Sequence, residues 1–218
     1  MIIDPYTWRS LTILEIKLVA EETVAVRFTR PADYTFRAGQ YAVTRITKTT
    51  NTFIRQYSFS SSPGDDTLEL LIQREPGGEV SSWFFESAQP GDIVEISQPF
   101  GNFTLEAGKR PVLLIAGRVG IAPFMSMVRD NKQPLAVLYS VRNRKQVCFA
   151  EELHETGVTV VSTDHTPRID SAVLMPLLAD QPLVYICGSK QFVDAMVILV
   201  TKSGVATKDI RRELFTLQ

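Results

Sequence analysis

The chain has 218 residues, 44% hydrophobic and 22% charged, ordinary globular usage that suits one large domain or two of about a hundred residues each. A formal net charge of −1 gives no general attraction to nucleic acid or to an anionic membrane. Two cysteines, Cys148 and Cys187, are too few for the roughly four thiolates of an iron–sulfur cluster, and His154 and His165 share no metal-ligand spacing with them. No basic segment precedes an apolar run at Met1-Ile2-Ile3-Asp4-Pro5, and the stretch Ala195 to Val200 is too short to span a bilayer. The expected location is therefore the cytoplasm, with no membrane partner.

The first half reads as β-rich. Thr23-Val24-Ala25-Val26-Arg27-Phe28 alternates as a half-buried strand does, with Val24, Val26 and Phe28 on one face. Short runs follow at Tyr41 to Ile46, Phe53 to Ser60, Leu68 to Gln73 and Ile93 to Ser97. Turn signals separate them at Pro31-Ala32-Asp33, Ala38-Gly39, Ser62-Pro63-Gly64-Asp65-Asp66 and Gln89-Pro90-Gly91-Asp92. Strands at this rhythm predict an antiparallel β-barrel, interrupted by one helix after Gly78.

From Arg110 the pattern changes to continuous apolar runs, expected of strands covered on both faces: Val112 to Ala116, Leu135 to Tyr139, Val158 to Val161 and Leu183 to Cys187. Helices are predicted near Phe124 to Arg129, Ala150 to Glu155, Ser171 to Leu178 and Lys190 to Ser203, the last capped by Gly204. Strand–helix alternation predicts a doubly wound α/β parallel sheet. The expected division is residues 1–107 for the barrel and 108–218 for the α/β domain.

Two motifs carry most of the chemistry. In Arg55-Gln56-Tyr57-Ser58 an extended strand turns Arg55 and Tyr57 to one face and Ser58 to the other, offering a cation, a flat ring and a hydroxyl to one ligand. In Gly77-Gly78-Glu79-Val80-Ser81 a glycine pair opens a helix, whose first N–H groups suit a phosphate; Ser81 either caps that helix or donates to the same phosphate. Together, in this order and spacing, they resemble the flavin-binding half of the ferredoxin–NADP reductase superfamily. Phe36-Arg37-Ala38-Gly39-Gln40-Tyr41 and Gln98-Pro99-Phe100-Gly101-Asn102-Phe103 extend the resemblance, which continues almost to the carboxyl terminus.

The resemblance implies bound FAD, with Arg55 on its phosphates, Tyr57 packed on the isoalloxazine and the Ser58 hydroxyl at N5. FAD is expected over FMN because the Gly77–Ser81 helix start suits a diphosphate. Ala116-Gly117-Arg118-Val119-Gly120-Ile121-Ala122-Pro123 is similar to the family's nicotinamide-dinucleotide loop, except that Arg118 replaces its second glycine. A residue other than glycine in the left-handed region costs roughly 1–2 kcal/mol. Arg118 either pairs with the coenzyme diphosphate or fills the groove, and obstruction is the expected outcome. Ser140-Val141-Arg142-Asn143-Arg144-Lys145 carries hydroxyl and cations but no carboxylate, so NADPH is expected over NADH. Cys187-Gly188-Ser189 matches the segment whose cysteine lies beside the nicotinamide C4. Glu213-Leu214-Phe215 resembles the family's acidic–x–aromatic ending, which puts Glu213 where it orients Cys187 and Ser58, and Phe215 near the exposed flavin face.

The implied reaction is hydride transfer from nicotinamide C4 to flavin N5, followed by electron release to a small carrier protein such as ferredoxin or flavodoxin. No iron–sulfur module is expected on this chain. Two other readings stand beside it: a free-flavin reductase, and an FAD-binding electron relay in which Arg118 has impaired nicotinamide binding.

Overall fold

The computed structural model describes residues 4–48, 51–130, 135–155, 158–164 and 168–215. His165 and the tail 216–218 lie outside the described residues. Two sheets of opposite grammar organise the molecule.

The first is antiparallel and contains β1 (Arg9–Ala20), β2 (Thr23–Thr29), β3 (Tyr41–Lys48), β4 (Asn51–Ser58), β5 (Thr67–Gln73) and β6 (Ile93–Ile96), in the order β4-β3-β6-β1-β2-β5. Its two edges meet just past β4, where Phe59 bridges Leu70 of β5 and the Ser60 N–H donates to the Glu69 carbonyl at 2.9 Å. The sheet thereby closes into the expected barrel around Phe28, Phe59, Leu70 and Ile96, all fully buried. Helix α1 (Glu79–Glu86) packs on it through Val80 and Phe84.

The second sheet is parallel, with β7 (Val112–Gly117), β8 (Leu135–Val141), β9 (Thr159–Ser162), β10 (Leu183–Ser189) and β11 (Ile210–Phe215) in the order β11-β10-β7-β8-β9. Helices α2 (Ala122–Asp130), α3 (Ala150–Glu155), α4 (Ser171–Leu174, continued as a 3-10 turn to Leu178) and α5 (Lys190–Lys202) connect its strands. The chain runs outward from β7 to β9 and then returns to β10, so the strand order reverses between β7 and β10. That reversal opens a crevice at the carboxyl ends of these two strands, the place where doubly wound sheets bind ligands.

Two strands, β1 and β11, add to those the sequence predicts. The apolar alternation of β1 is broken by register shifts between Ile13 and Glu15 and between Leu18 and Ala20. These change its phase and leave Leu14 and Leu18 exposed. β11 is an edge strand bearing Arg211, Arg212 and Glu213, so no hydrophobic run announces it.

Strand β5 shows how the two halves join. Leu68, Leu70 and Ile72 point into the barrel core, while Leu71 on the opposite face belongs to the core beneath α2. On that second face Glu69 is only 7% exposed. Arg129 of α2 meets it at 2.7 Å and also donates to the Ser60 carbonyl. The Ser60 hydroxyl donates to the same carboxylate at 2.8 Å. A buried carboxylate is tolerated when its oxygens are paired in this way, and removing the partner of such a pair typically costs about 3–5 kcal/mol. Elsewhere Ala25, Ala38 and Phe103 of the barrel half share a core with Phe124, Met125 and Met127 of α2. Among the described residues no helix is long and apolar enough to cross a membrane.

Candidate functional site

Two adjoining cavities occupy the seam between the sheets. The first, ≈ 350 Å³, is walled by Arg55, Gln56, Tyr57 and Ser58 from β4, by Gly77, Gly78, Val80 and Ser81 at the start of α1, and by Val119 and Phe215 from the parallel-sheet side. The second, ≈ 230 Å³, is walled by Gly117, Arg118 and Val119, by Ser140 near the end of β8 and Arg142 just after it, and by Ser189, Phe192 and Phe215. Gln73, Glu75, Val119 and Phe215 border both.

The first cavity gathers one strand and one helix start. On β4, Tyr57 is half-buried, standing edge-on to Phe84 with ring centroids 6.4 Å apart, and Ser58 is 4% exposed. Burial raises the Tyr57 phenol above its ordinary value, so it stays neutral. The Arg55 guanidinium bonds only to the Ile54 carbonyl of its own strand, with no carboxylate pairing it among the described residues. Gly77 has φ +75 and nothing within 4 Å of where a Cβ would stand, which leaves the turn open towards the cavity.

At the helix start the structure corrects one reading of Ser81. Gly78, not Ser81, is the N-cap of α1, and no side chain caps this end. Ser81 is the third helical residue, and its hydroxyl accepts from the Glu75 N–H at 3.1 Å. The hydroxyl folds back over the preceding turn because a glycine at 78 lets the helix begin there. The amides of the first turn are thus not covered by their own serine.

Around the second cavity the glycines serve close packing. A Cβ on Gly117 would stand 2.7 Å from the Phe192 ring, and one on Gly188 2.9 Å from it. A Cβ on Gly120 would stand 2.4 Å from the Cys187 carbonyl oxygen. The loop after β7 can therefore lie directly on the end of β10. Arg118 holds φ +51, the left-handed conformation that its position in the motif calls for. Its side chain stands in the cavity wall without closing the cavity. Ser189 ends β10 and caps α5, its hydroxyl accepting from the Phe192 N–H at 3.4 Å.

Cys187 and Glu213 are neighbours by register on β10 and β11, and Cys187 also lies beside Ala116 of β7. Cys187 is fully buried; burial first, and the Glu213 charge second, push its thiol well above its ordinary value, so it remains protonated. Glu213 is pushed up to about 7 by burial. Its Oε2 is buried without a hydrogen-bond partner among the described residues. Its side chain faces a third cavity, of ≈ 830 Å³, lined also by Arg37, Thr104, Tyr185 and Arg212. Among the described residues no hydrogen bond joins Glu213 to Ser58 or to Cys187.

The structure adds Gln73, Glu75, Thr163 and Phe192 to the residues the sequence singles out. Thr163 follows β9, a strand end on the ligand side of the sheet, and that position was the available signal. Phe192 could be sought from Gly117 and Gly188, because a glycine at a close approach implies a bulky neighbour. Among the described residues no group of three or more His, Cys, Asp or Glu side chains is placed to hold a metal.

A closed antiparallel barrel followed by a doubly wound parallel sheet, with a continuous crevice at their seam, defines a two-domain flavin- and dinucleotide-binding architecture. Residues 10–105 match the family described as the oxidoreductase FAD-binding domain. A flavohemoprotein of Bacillus subtilis (strain 168) is 34% identical over 207 residues, covering 83% of this chain and 51% of that protein. The toluate 1,2-dioxygenase electron transfer component of Pseudomonas putida is 27% identical over 224 residues, 93% of this chain and 66% of its own length. The crystal structure of the flavohem-like FAD/NAD-binding domain of nitric oxide dioxygenase from Vibrio cholerae O1 biovar El Tor superposes with a TM-score of 0.84. It is 25% identical and covers 95% of this chain and 98% of that domain. These likenesses bear out the resemblance to the ferredoxin–NADP reductase superfamily, in fold and in the FAD-binding stretch 10–105. It spans between half and two thirds of the length of the two curated relatives named here.

Proposed function

We propose that the protein is an NAD(P)H-dependent flavoprotein reductase, with residues 1–107 holding FAD and 108–218 holding the nicotinamide dinucleotide. The observation that carries this reading is the pair of cavities meeting at Val119 and Phe215, one lined by the Arg55–Ser58 strand and the other by Gly117, Arg118 and Val119. The residues of the first cavity fit FAD. Arg55 offers a guanidinium without a carboxylate partner, Gly77 leaves an open turn, and the start of α1 has no side-chain cap.

When bound, FAD supplies the chemistry, accepting a hydride from reduced nicotinamide and giving up its electrons singly or in pairs. The chain's own residues bind, align and exclude water. Arg55 and the first amides of α1 hold phosphate. Tyr57, neutral and wedged against Phe84, offers a flat face to the ring system. Ser58, at the buried end of β4, presents a hydroxyl to the ring edge. On the other side, Gly188 and Gly120 bring backbone close around Cys187, whose neutral thiol can border a nicotinamide without competing for the hydride. Glu213 behind it holds a proton near neutral pH. Ser140 and Arg142 read the adenosine end, and the absence of a carboxylate from the stretch Ser140 to Lys145 supports NADPH over NADH.

The proposed acceptor is a small electron-carrier protein such as ferredoxin or flavodoxin. The likeness to a dioxygenase electron transfer component supports a role of this kind. Both cysteines are free and buried, which suits a reducing compartment, and the cytoplasm is the proposed location.

The test is flavin content. Purified protein should carry about one FAD per chain, and Arg55→Ala should lose most of it through removal of a charge-assisted phosphate contact worth about 1.5–3 kcal/mol. Wild-type protein that takes up no added FAD overturns the assignment.

A further inference from the structure

We propose that Arg118 anchors the diphosphate of the nicotinamide dinucleotide, replacing with a side-chain cation part of what the superfamily's glycine loop does with backbone. This deepens the reading above and rests on it.

Four observations converge. First, Arg118 is held at φ +51, in a region that costs a residue other than glycine roughly 1–2 kcal/mol. Strain of this kind persists where the surroundings over-determine it, and it concentrates at ligand sites.

Second, one guanidinium nitrogen is unsatisfied. Among the described residues the buried Arg118 Nε has no hydrogen-bond partner and Arg118 forms no ion pair. Arg9, Arg45, Arg74, Arg110, Arg129 and Arg211, by contrast, each pair with a carboxylate. Glu75 borders the same cavity and is not among the partners of Arg118. A desolvated cationic nitrogen left open is costly, and an incoming phosphate relieves that cost.

Third, the cavity beside Arg118 gathers a second cation. Arg142 stands in the same wall, with Ser140, Thr163 and Ser189, among the apolar Val119, Val141, Phe192 and Phe215. The cavity retains ≈ 230 Å³ with the Arg118 side chain present, so the side chain edges the coenzyme path instead of filling it. The expectation of obstruction drawn from the sequence gives way to contact.

Fourth, strand order assigns the phosphate. The strands run β10-β7-β8 across the sheet, with Cys187 at the end of β10 and Ser140 near the end of β8. A dinucleotide with its nicotinamide at Cys187 and its adenosine at Ser140 crosses the end of β7 with its middle. Arg118 is the residue immediately after β7. Two consequences follow. Arg118 acts on NADPH and NADH alike, unlike Arg142, and it makes coenzyme affinity fall with salt.

The test measures dissociation constants of NADP+ and NAD+ by calorimetry, at low and high ionic strength, for FAD-loaded wild type, Arg118→Gly, Arg118→Lys and Arg142→Ala. Glycine suits the left-handed position, so Arg118→Gly should fold and keep its flavin. The expected result is roughly ten- to a hundredfold weaker binding of both coenzymes by Arg118→Gly at low salt. The loss should shrink at high salt. Arg118→Lys should lose less, keeping the charge but not the fork. Arg142→Ala should lose NADP+ alone. Unchanged or tighter binding by Arg118→Gly overturns the inference while the functional reading stands. A loss in Arg118→Gly confined to NADP+ overturns the diphosphate assignment. Wild-type protein that binds neither coenzyme overturns both the inference and the nucleotide half of the proposed function.

Discussion

Gly120 lies directly against Cys187: a Cβ on Gly120 would stand 2.4 Å from the Cys187 carbonyl oxygen and 2.9 Å from the Gly188 Cα. Both obstacles are backbone in the middle of a parallel sheet, so neither can step aside cheaply. The glycine keeps the β7 loop on the end of β10 and so fixes the crevice where the strand order reverses. Gly120→Ala should destabilise the protein by roughly 1–3 kcal/mol, the usual cost of overpacking a tight site. Gly77→Ala meets no atoms and carries only its left-handed strain, roughly 1–2 kcal/mol. Urea midpoints, with flavin-reduction rates on the same samples, check this. Gly120→Ala should lose both stability and rate, whereas a wild-type midpoint and rate would show that the contact relaxes.

Glu213 gives the fold a pH signature. Burial raises its carboxyl from 4.5 to about 7, so the folded state binds this proton more tightly than the unfolded chain does. Stability from this group is fully present below 4.5 and is lost as pH rises through about 7, the sign expected of a raised pKa. Glu213→Gln abolishes the dependence. Comparing urea unfolding at about pH 5 and about pH 8, wild type should lose on the order of 2–3 kcal/mol relative to the glutamine variant. Parallel stability profiles for the two proteins would mean that Glu213 ionises as an ordinary carboxylate.

Cys187 and Ser58 lie on opposite sheets, Cys187 buried near the end of β10 and Ser58 ending β4 in the wall of the first cavity. If they align the reacting rings, Cys187→Ala and Ser58→Ala should slow flavin reduction while leaving coenzyme affinity within a few-fold. That is the pattern of groups felt mainly in the transition state. Single-turnover rates set against dissociation constants separate the two effects. Unchanged rates in both variants would leave these residues with packing roles only.

Much of this arrangement was legible in the sequence, because local rules set it. The unbroken apolar run of β7 followed by glycines and Pro123 could only be a buried strand opening a helix, and Arg55 to Ser58 kept the period of a strand. The left-handed conformation at Arg118 followed from its place in the loop. What escaped depended on distant chain segments. Glu69 meets Arg129 from 60 residues away, and neither residue's neighbours announce the pair. The bulges of β1 change its phase, and β11 earns its place by pairing with β10 instead of by apolar content. Ser81 looked like a cap because its residue type suits one, whereas the position of Gly78 decides where the helix begins.

The most direct measurement is anaerobic mixing of the FAD-loaded protein with NADPH, and separately with NADH, following the visible absorbance of the bound flavin. The two cavities meeting at Val119 and Phe215 predict rapid, stoichiometric bleaching with at least one coenzyme, faster or at lower concentration with NADPH. Flavin that binds at about one per chain yet stays oxidised with both coenzymes would contradict the account, leaving a flavoprotein that takes its electrons from another source.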